Sequence, residues 1–526
     1  MQGDMAKAQK NRASKQPYVS SNQTTIIGFE SPFSQTLDLN NRWVILAHKI
    51  PWDLLVSSYQ SQMNNSQTGA DGINPRVAIG AMILKHMCNM SDRETVLQIQ
   101  ENMYMQYFIG YSSFSKEEPF DPSLFVEFRK RLGIEQINSI NEKILGLSHQ
   151  VNTSKQNENT NDSEHQDLSN TKDEETPYQN VSEPEETISH KGKLIIDATA
   201  CPQDIAYPTD LNLLNDAREK SEEIIDILYA EHLHEKKPRT YRKVARKNYL
   251  NTAQKKVKSK REIRNAVKKQ LNYLRRNLKA INTLLDAYET IPLNRRQHKY
   301  LLVINTLFEQ QEKMYKEKTH SIEHRIVSIH QPHVRPIVRG KTNANVEFGS
   351  KINVSLMNGF AFLDDLSWDA FNEGTRLLAS VEKYNKRFGY YPQEVLVDKI
   401  YCNRPNRAAL KLLGIKLRAK PLGRPKAVDV EHVRPGERNP IEGKFGQAKT
   451  SYGMNRIRAR LQQTSESWVA TIILVLNLIN LIGSGTYCLY LSMKTYSALF
   501  MHNIMCLLKM NLSIMGLNLD ERTALS

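Results

Sequence analysis

Two short segments share a form that could do chemistry. Leu194-Ile195-Ile196-Asp197 and Val395-Leu396-Val397-Asp398 each run three aliphatic residues into an aspartate. A continuous apolar run reads as a strand buried on both faces of a sheet. Active-site groups of open α/β sheets gather at strand C-termini, and neighbouring strands lie about 4.8 Å apart. Two aspartates so placed can share a metal ion. An aspartate at a strand end also commonly opens the next turn, and either segment taken singly admits that reading.

A third segment runs from Arg438 to Lys449. Asn439 suits an N-cap and Pro440 the first helical position, which puts Glu442 at the third. A carboxylate there can close a capping box and do nothing else. Lys449 adds to this, because seven residues are nearly two helical turns and Glu442 and Lys449 then share a face. Gly443 and Gly446 are poor helix formers. Their presence makes sense if something approaches the helix backbone closely. Arg438 precedes the helix and can point at an anion near its N-terminus.

Histidines 320, 324, 330 and 333 have H-x3-H and H-x2-H spacing. That invites a zinc reading, but no cysteine or carboxylate pattern completes four ligands. Histidines on a basic face are the plainer reading.

The elements that must position these groups follow from pattern. Val346–Leu356 and Gly359–Leu363 read as strands joined at Asn358-Gly359, a hairpin dipeptide. A helix is expected from Trp368 to Arg387, then the Val395–Val397 strand, a helix from Arg404 to Leu413, and a strand at Ile415–Leu417. Upstream, Ile263, Val267, Leu271, Leu274, Leu278, Ile281 and Leu285 form a near-heptad stripe, and Pro292 ends it. An antiparallel helical hairpin with a basic outer face is expected there. The order of strand with Asp, hairpin, helix, strand with Asp, helix, strand, helix with Glu is the layout of a ribonuclease H-like fold. The fold class is therefore α/β: a ribonuclease H-like catalytic core with an inserted helical hairpin, plus an N-terminal all-α domain.

At this point the chain resembles a known family. LIIDATACP, VDKIYCNRPNR and RNPIEGKFGQAKTSYGMNRIRARL look like the three motifs of the DDE transposases of bacterial insertion sequences. Arg438-x3-Glu442-x6-Lys449 matches the R-E-K part of that group's signature. The tyrosine expected three residues before the arginine is Pro435 here. The stretch from Ile50 to Gly133, and the segment His330–Lys341, also resemble the family. The resemblance implies Asp197, Asp398 and Glu442 as catalytic residues and as ligands of two Mg2+ ions, with Mn2+ as a substitute. It implies that Arg438 and Lys449 hold DNA phosphates near the cut. The implied reaction is DNA cleavage and strand transfer, on element ends and target duplex, by a homodimer on DNA. A DNA-binding protein with an inactive core is the alternative.

Composition agrees with an anionic partner. The 526 residues carry a net charge of +16, which favours polyanions. Between His234 and Ala280 there are eighteen Lys and Arg against two Glu, so one segment holds the whole excess. Lys255, Lys256, Arg275 and Arg276 within it are expected to contact DNA phosphates. The five cysteines, Cys88, Cys201, Cys402, Cys488 and Cys506, form no C-x-x-C pair. That argues for a reducing compartment. With no apolar leader near Met1, a cytoplasmic, nucleoid-associated protein is expected. The uncharged stretch Ser467–Met493 approaches membrane-span length. Asn477, Asn480 and Gly483-Ser484-Gly485 interrupt it, so a buried core helix over Trp468–Ile482 is expected, and no membrane partner.

Helix-start signals at Asn74-Pro75, Ser91–Glu94 and Asp121-Pro122 mark three short helices in the N-terminal part. They suit a small DNA-binding module or a plain helical bundle, and composition does not separate the two. The expected organisation is a flexible start over 1–40 and a helical DNA-binding domain over 41–150. A polar linker follows over 151–190. The catalytic domain spans 191–482 with the basic insertion at 212–320, and a tail covers 483–526.

Overall fold

The computed structural model describes residues 36–63, 72–144, 189–341, 344–419 and 436–482. Residues 151–188 of the expected linker, 1–35 of the expected flexible start, the tail, Pro435, Cys488 and Cys506 lie outside the described residues.

The N-terminal part is helical. Its elements are α1 (Arg42–Lys49), α2 (Trp52–Gln60), α3 (Pro75–Met87), α4 (Asp92–Glu101), α5 (Met103–Phe108) and α6 (Phe125–Arg131), then helical residues 134–144 (α7). The sequence signals act as expected. The Asn74 side chain accepts from the Arg76 amide ahead of Pro75, and Ser91 Oγ accepts from the Glu94 amide at 3.1 Å. Asp121 opens a 3-10 turn, Pro122–Leu124, before α6 begins.

One mixed sheet follows. Its strands are β1 (Lys193–Pro202), β2 (Arg335–Lys341), β3 (Ala344–Met357), β4 (Phe360–Ser367), β5 (Glu394–Leu396) and β6 (Lys416–Arg418). β3 pairs antiparallel with β1, β2 and β4, while β1, β5 and β6 run parallel. Asn358 and Gly359 both have positive φ, 49° and 82°. That is the left-handed pair a tight hairpin requires, and it sets the β3–β4 register. β2 is a strand that periodicity did not show, because Pro336 and its alternating Arg and Lys hide the pattern. The helix expected from Trp368 begins later: a 3-10 turn, Glu373–Arg376, leads into α12 (Leu377–Phe388). α13 (Arg404–Leu412), α14 (Asn439–Thr450) and α15 (Gln462–Ile482) complete the order.

The insertion between β1 and β2 is larger than a hairpin. It contains α8 (Asp210–Leu228), α9 (Arg242–Ala253), α10 (Lys260–Leu285) and α11 (Arg295–Glu317). The α10 stripe is buried at Val267, Leu271, Leu274, Leu278 and Ile281, while Ile263 near its start is 41% exposed. Leu214, Ala217, Ile225 and Leu228 of α8 join this stripe in a second apolar cluster, separate from the main core. A hairpin seam alone would leave the flank of α10 uncovered, and α8 covers it. Polar residues buried in the joint pair with one another: Arg218 pairs with Glu222 at 2.5 Å, and Asn277 donates to Ser221 Oγ at 2.9 Å. At its base Arg325 pairs with Asp210 at 2.7 Å.

α15 is long and apolar enough to cross a membrane, yet most of it is buried within the protein. Its buried residues belong to one apolar cluster that also includes α1–α7 and the sheet. The Asn477 amide accepts from the Ala361 amide and donates to its carbonyl, at 2.8 and 2.7 Å, which ties α15 to β4. This is why an asparagine sits in an otherwise apolar helix: its polar atoms are satisfied by a strand.

Candidate active site

The register places the two aspartates. β1 pairs with β5 in parallel at Leu194 with Val395 and Ile195 with Leu396. Asp197 and Asp398 each lie two residues past that last pair, at one level on adjacent chains. Val395, Leu396 and Val397 are fully buried, as a run covered on both faces requires. One expectation needs correction. Asp197 does not end its strand, because β1 continues to Pro202 in its pairing with β3. It marks the place where β1 parts from β5. Gly349 permits the continuation: a Cβ there would meet the Cys201 carbonyl oxygen at 2.1 Å.

Asp398 also does what strand-end aspartates commonly do. Its Oδ1 accepts from the Lys399 amide at 2.7 Å and caps the 3-10 turn Lys399–Tyr401. Its side chain remains 55% exposed, whereas that of Asp197 is only 17% exposed. Burial pushes the Asp197 carboxyl up to about 6, with Arg438 and the Ala198 amide pulling against it and Glu373 and Asp398 adding to the rise.

Arg438 joins the pair. Its Nη2 lies 3.2 Å from Asp197 Oδ2 and its Nη1 lies 3.4 Å from Asp398 Oδ1. The start of α14 is held nearby, since Glu437 pairs with Arg418 of β6 at 3.2 Å and Ile441 is fully buried. α14 begins one residue earlier than expected, with Arg438 at the cap position and no side-chain cap hydrogen bond. The expected Asn439 cap and the capping box through Glu442 are therefore not formed. Glu442 is exposed on the first turn, and Lys449 lies in the last. Gly443 and Gly446 have nothing within 4 Å of where a Cβ would stand, so packing inside the protein gives no reason for them.

Beneath the aspartates lies a buried layer the sequence did not single out. Tyr401 donates to Asn353 Oδ1 at 3.3 Å, and Asn353 donates to Ser380 Oγ at 2.7 Å. Burial, then the carboxylates of Glu373 and Asp197, push the Tyr401 hydroxyl up, so it stays a neutral donor. Glu373 reaches this neighbourhood from its 3-10 turn and pairs with Lys351 at 2.9 Å. Asn406 donates to both the Gly374 and Tyr401 carbonyls, which clamps the two 3-10 turns together. Tyr401 and Asn406 lie within VDKIYCNRPNR, so that motif carried a signal; Glu373 had none.

The donor chemistry of Asp197 and Asp398 fits a hard divalent ion, because carboxylate oxygens from adjacent chains reach one common cation, here a guanidinium. Among the described residues no three His, Cys, Asp or Glu side chains form a metal-holding group, so Glu442 is not assembled with the aspartates. The four histidines do not gather either. His324 meets Asp369, the His330 ring meets Tyr300, and the His333 ring packs edge-on against Trp368.

The basic candidates are spread over the insertion. Lys255 pairs with Glu262 and Arg275 with Glu312, both at 2.6 Å. Arg276 lies against the rings of Tyr241 and Tyr273 at 4.8 and 4.9 Å. Lys256 is exposed.

Comparison with known proteins gives two family matches. The family described as "Transposase domain (DUF772)" matches residues 31–131, and the family described as "Transposase DDE domain" matches residues 395–479. Both matched families are described as transposase domains, and together they support a DDE-type insertion-sequence transposase. The second match contains Asp398, Arg438, Glu442 and Lys449; Asp197 lies outside both and joins the site through strand register. Among curated proteins, an uncharacterised protein named ORF8 in the nfe locus of Rhizobium meliloti is 30% identical over 112 residues. The match covers 21% of this chain and 53% of that relative, so the chain spans about half of the relative's length. No solved structure matches.

Proposed function

We propose that this chain cuts and joins DNA as an insertion-sequence transposase, with Asp197, Asp398 and Glu442 as its metal-holding carboxylates. One observation carries the reading: two aspartates at one level of adjacent parallel chains, in a sheet whose other half is antiparallel. That strand arrangement is the one expected of a ribonuclease H-like core. Magnesium, or manganese in its place, would activate the attacking hydroxyl and stabilise the leaving oxygen there. The chain's own residues do the rest. Asp197 and Asp398 fix the position of the cations, and the Tyr401–Asn353–Ser380 chain holds the Asp398 turn. From α14, Glu442 adds the third metal-holding carboxylate and Lys449 takes a phosphate of the incoming duplex. The open face at Gly443 and Gly446 lets a DNA backbone come close to the helix.

The insertion serves as an electrostatic clamp on duplex DNA, both element ends and target, and two copies act together on that DNA. DNA binding falls to residues 41–150 and catalysis to residues 191–482 with the insertion at 212–320, in a cytoplasmic, nucleoid-associated protein. The deciding experiment incubates purified protein with the element's end DNA and Mg2+. Nicking at the 3′ ends, lost in Asp197→Asn, is expected. Tight end binding with no nicking in any divalent metal would favour the alternative, a DNA-binding protein with an inactive core.

A further inference from the structure

The position of Arg438 has a consequence for how metal and DNA reach this site. A residue held on a DNA phosphate would point outward, yet both terminal nitrogens of Arg438 face the two aspartates, at 3.2 and 3.4 Å. Its Nε is buried with no hydrogen-bond partner among the described residues. Among the described residues the guanidinium is therefore held by the two carboxylates. Neighbouring contacts keep it there. Glu437 is fixed to Arg418, and Arg418 to Glu394 of β5 at 3.1 Å. The residue before Arg438 is thus tied to β6 and to β5, the strand that leads into Asp398.

We propose that Arg438 is an internal counter-cation that keeps divalent metal out of the site until DNA arrives. The inference rests on the assignment of Asp197 and Asp398 as metal-holding carboxylates. A guanidinium cannot give up its proton and so remains a cation at any working pH. It holds oxygens that a divalent ion would need, and the two cations compete. Phosphate is as good a partner for guanidinium as carboxylate is, and takes it in the same forked geometry. A DNA phosphate near the start of α14 draws Arg438 away from Asp197 and Asp398, leaving two unpaired carboxylates side by side. Their repulsion then favours metal entry. Binding of DNA and of metal are thereby coupled, and the coupling is reciprocal: each tightens the other by one factor. A cutting enzyme without DNA would then be largely metal-free at the site.

The test measures Mn2+ binding by the paramagnetic signal of the free ion, with the full chain and a 30-base-pair mixed-sequence duplex. Wild-type protein should bind Mn2+ weakly alone and roughly tenfold more tightly with DNA, a size usual for coupled sites. Arg438→Gln should bind Mn2+ more tightly without DNA and gain little when DNA is added. Arg438→Lys, with a compact cation that cannot fork across two carboxylates, should fall between. Equal Mn2+ affinity of wild type with and without DNA overturns the proposal, and this arm needs no variant to fold. Equal Mn2+ affinity of DNA-free wild type and folded Arg438→Gln also overturns it. Asp197→Asn separates the two levels of the argument. If that variant binds Mn2+ as wild type does, the metal assignment fails; if it loses Mn2+ while Arg438→Gln gains nothing, only the counter-cation role fails.

Discussion

Glu442 is the residue on which two readings part most cleanly. The capping reading gave it a structural task worth about 1 kcal/mol, but α14 forms no capping box and Glu442 is exposed. Glu442→Gln should therefore alter thermal stability by no more than the favourable charge at a helix start, about 0.3–1 kcal/mol. The same variant should abolish end cleavage while gel-shift binding persists. Asp197→Asn and Asp398→Asn should behave likewise in cleavage. Near-normal nicking by any of the three removes that residue from the site. Asp398→Asn keeps an oxygen for the Lys399 amide, so its effect on folding should be small, and circular dichroism checks this.

At the scale of elements, α14 and the insertion make separate predictions. Gly443 and Gly446 occupy helix positions facing open space. Alanine at each should stabilise the DNA-free protein by up to about 1 kcal/mol, read as a rise in Tm. If the face serves DNA, the added methyl groups should also weaken cleavage; unchanged cleavage in the stabilised double variant argues against close approach there. For the insertion, charge reversal at Lys255, Lys256, Arg275 and Arg276 is a blunt probe. Three of the four already have partners within the protein. Lys243, Lys247, Lys268 and Lys269 are exposed and make no ion pair among the described residues. Changing these four to Glu should weaken binding to all DNA sequences alike. The log–log salt slope should fall by about 0.9 for each lost phosphate contact. A slope equal to wild type leaves this face without a nucleic-acid partner, and a loss confined to element ends means that it reads bases.

At the scale of the whole molecule, the N-terminal helices are packed onto the sheet through α15. Trp468 is the joint. The Lys85 ammonium lies 4.5 Å and the Arg129 guanidinium 5.0 Å from its ring, while His86 meets it edge-on at 4.9 Å. Asp92 pairs with both cations, so charges buried in the joint are matched. Ser467 Oγ donates to the Leu132 carbonyl at 2.6 Å, and Asn138 donates to the Leu363 carbonyl at 3.0 Å. Protease should still cut first within residues 151–188, the result expected from their polar composition. The nicked halves should nevertheless co-elute from gel filtration without denaturant. Trp468→Ala should cost about 3–5 kcal/mol and let them separate. Separation of the wild-type halves would mean that the joint is too weak to hold them.

The sequence by itself determined what depends on neighbours along the chain. Asn74, Ser91, Asp121, Ser259 and Asn294 start helices because their side chains reach amides two or three residues on. Asn358-Gly359 turns the hairpin because those residues accept positive φ. Two aliphatic runs ending in Asp marked the central strands, since burial on both faces leaves no polar alternation. The tertiary structure alone decided what depends on which surfaces meet. A periodic stripe on α10 reports that one face is buried but not by what, so the four-helix form of the insertion was not legible. The N-terminal signals likewise gave helices without showing that Trp468 would join them to the core. Arg438 read as an anion-binding residue from its place before a helix. Its actual partners, Asp197 and Asp398, lie 241 and 40 positions away in the chain, and only folding could bring their opposite charges within reach.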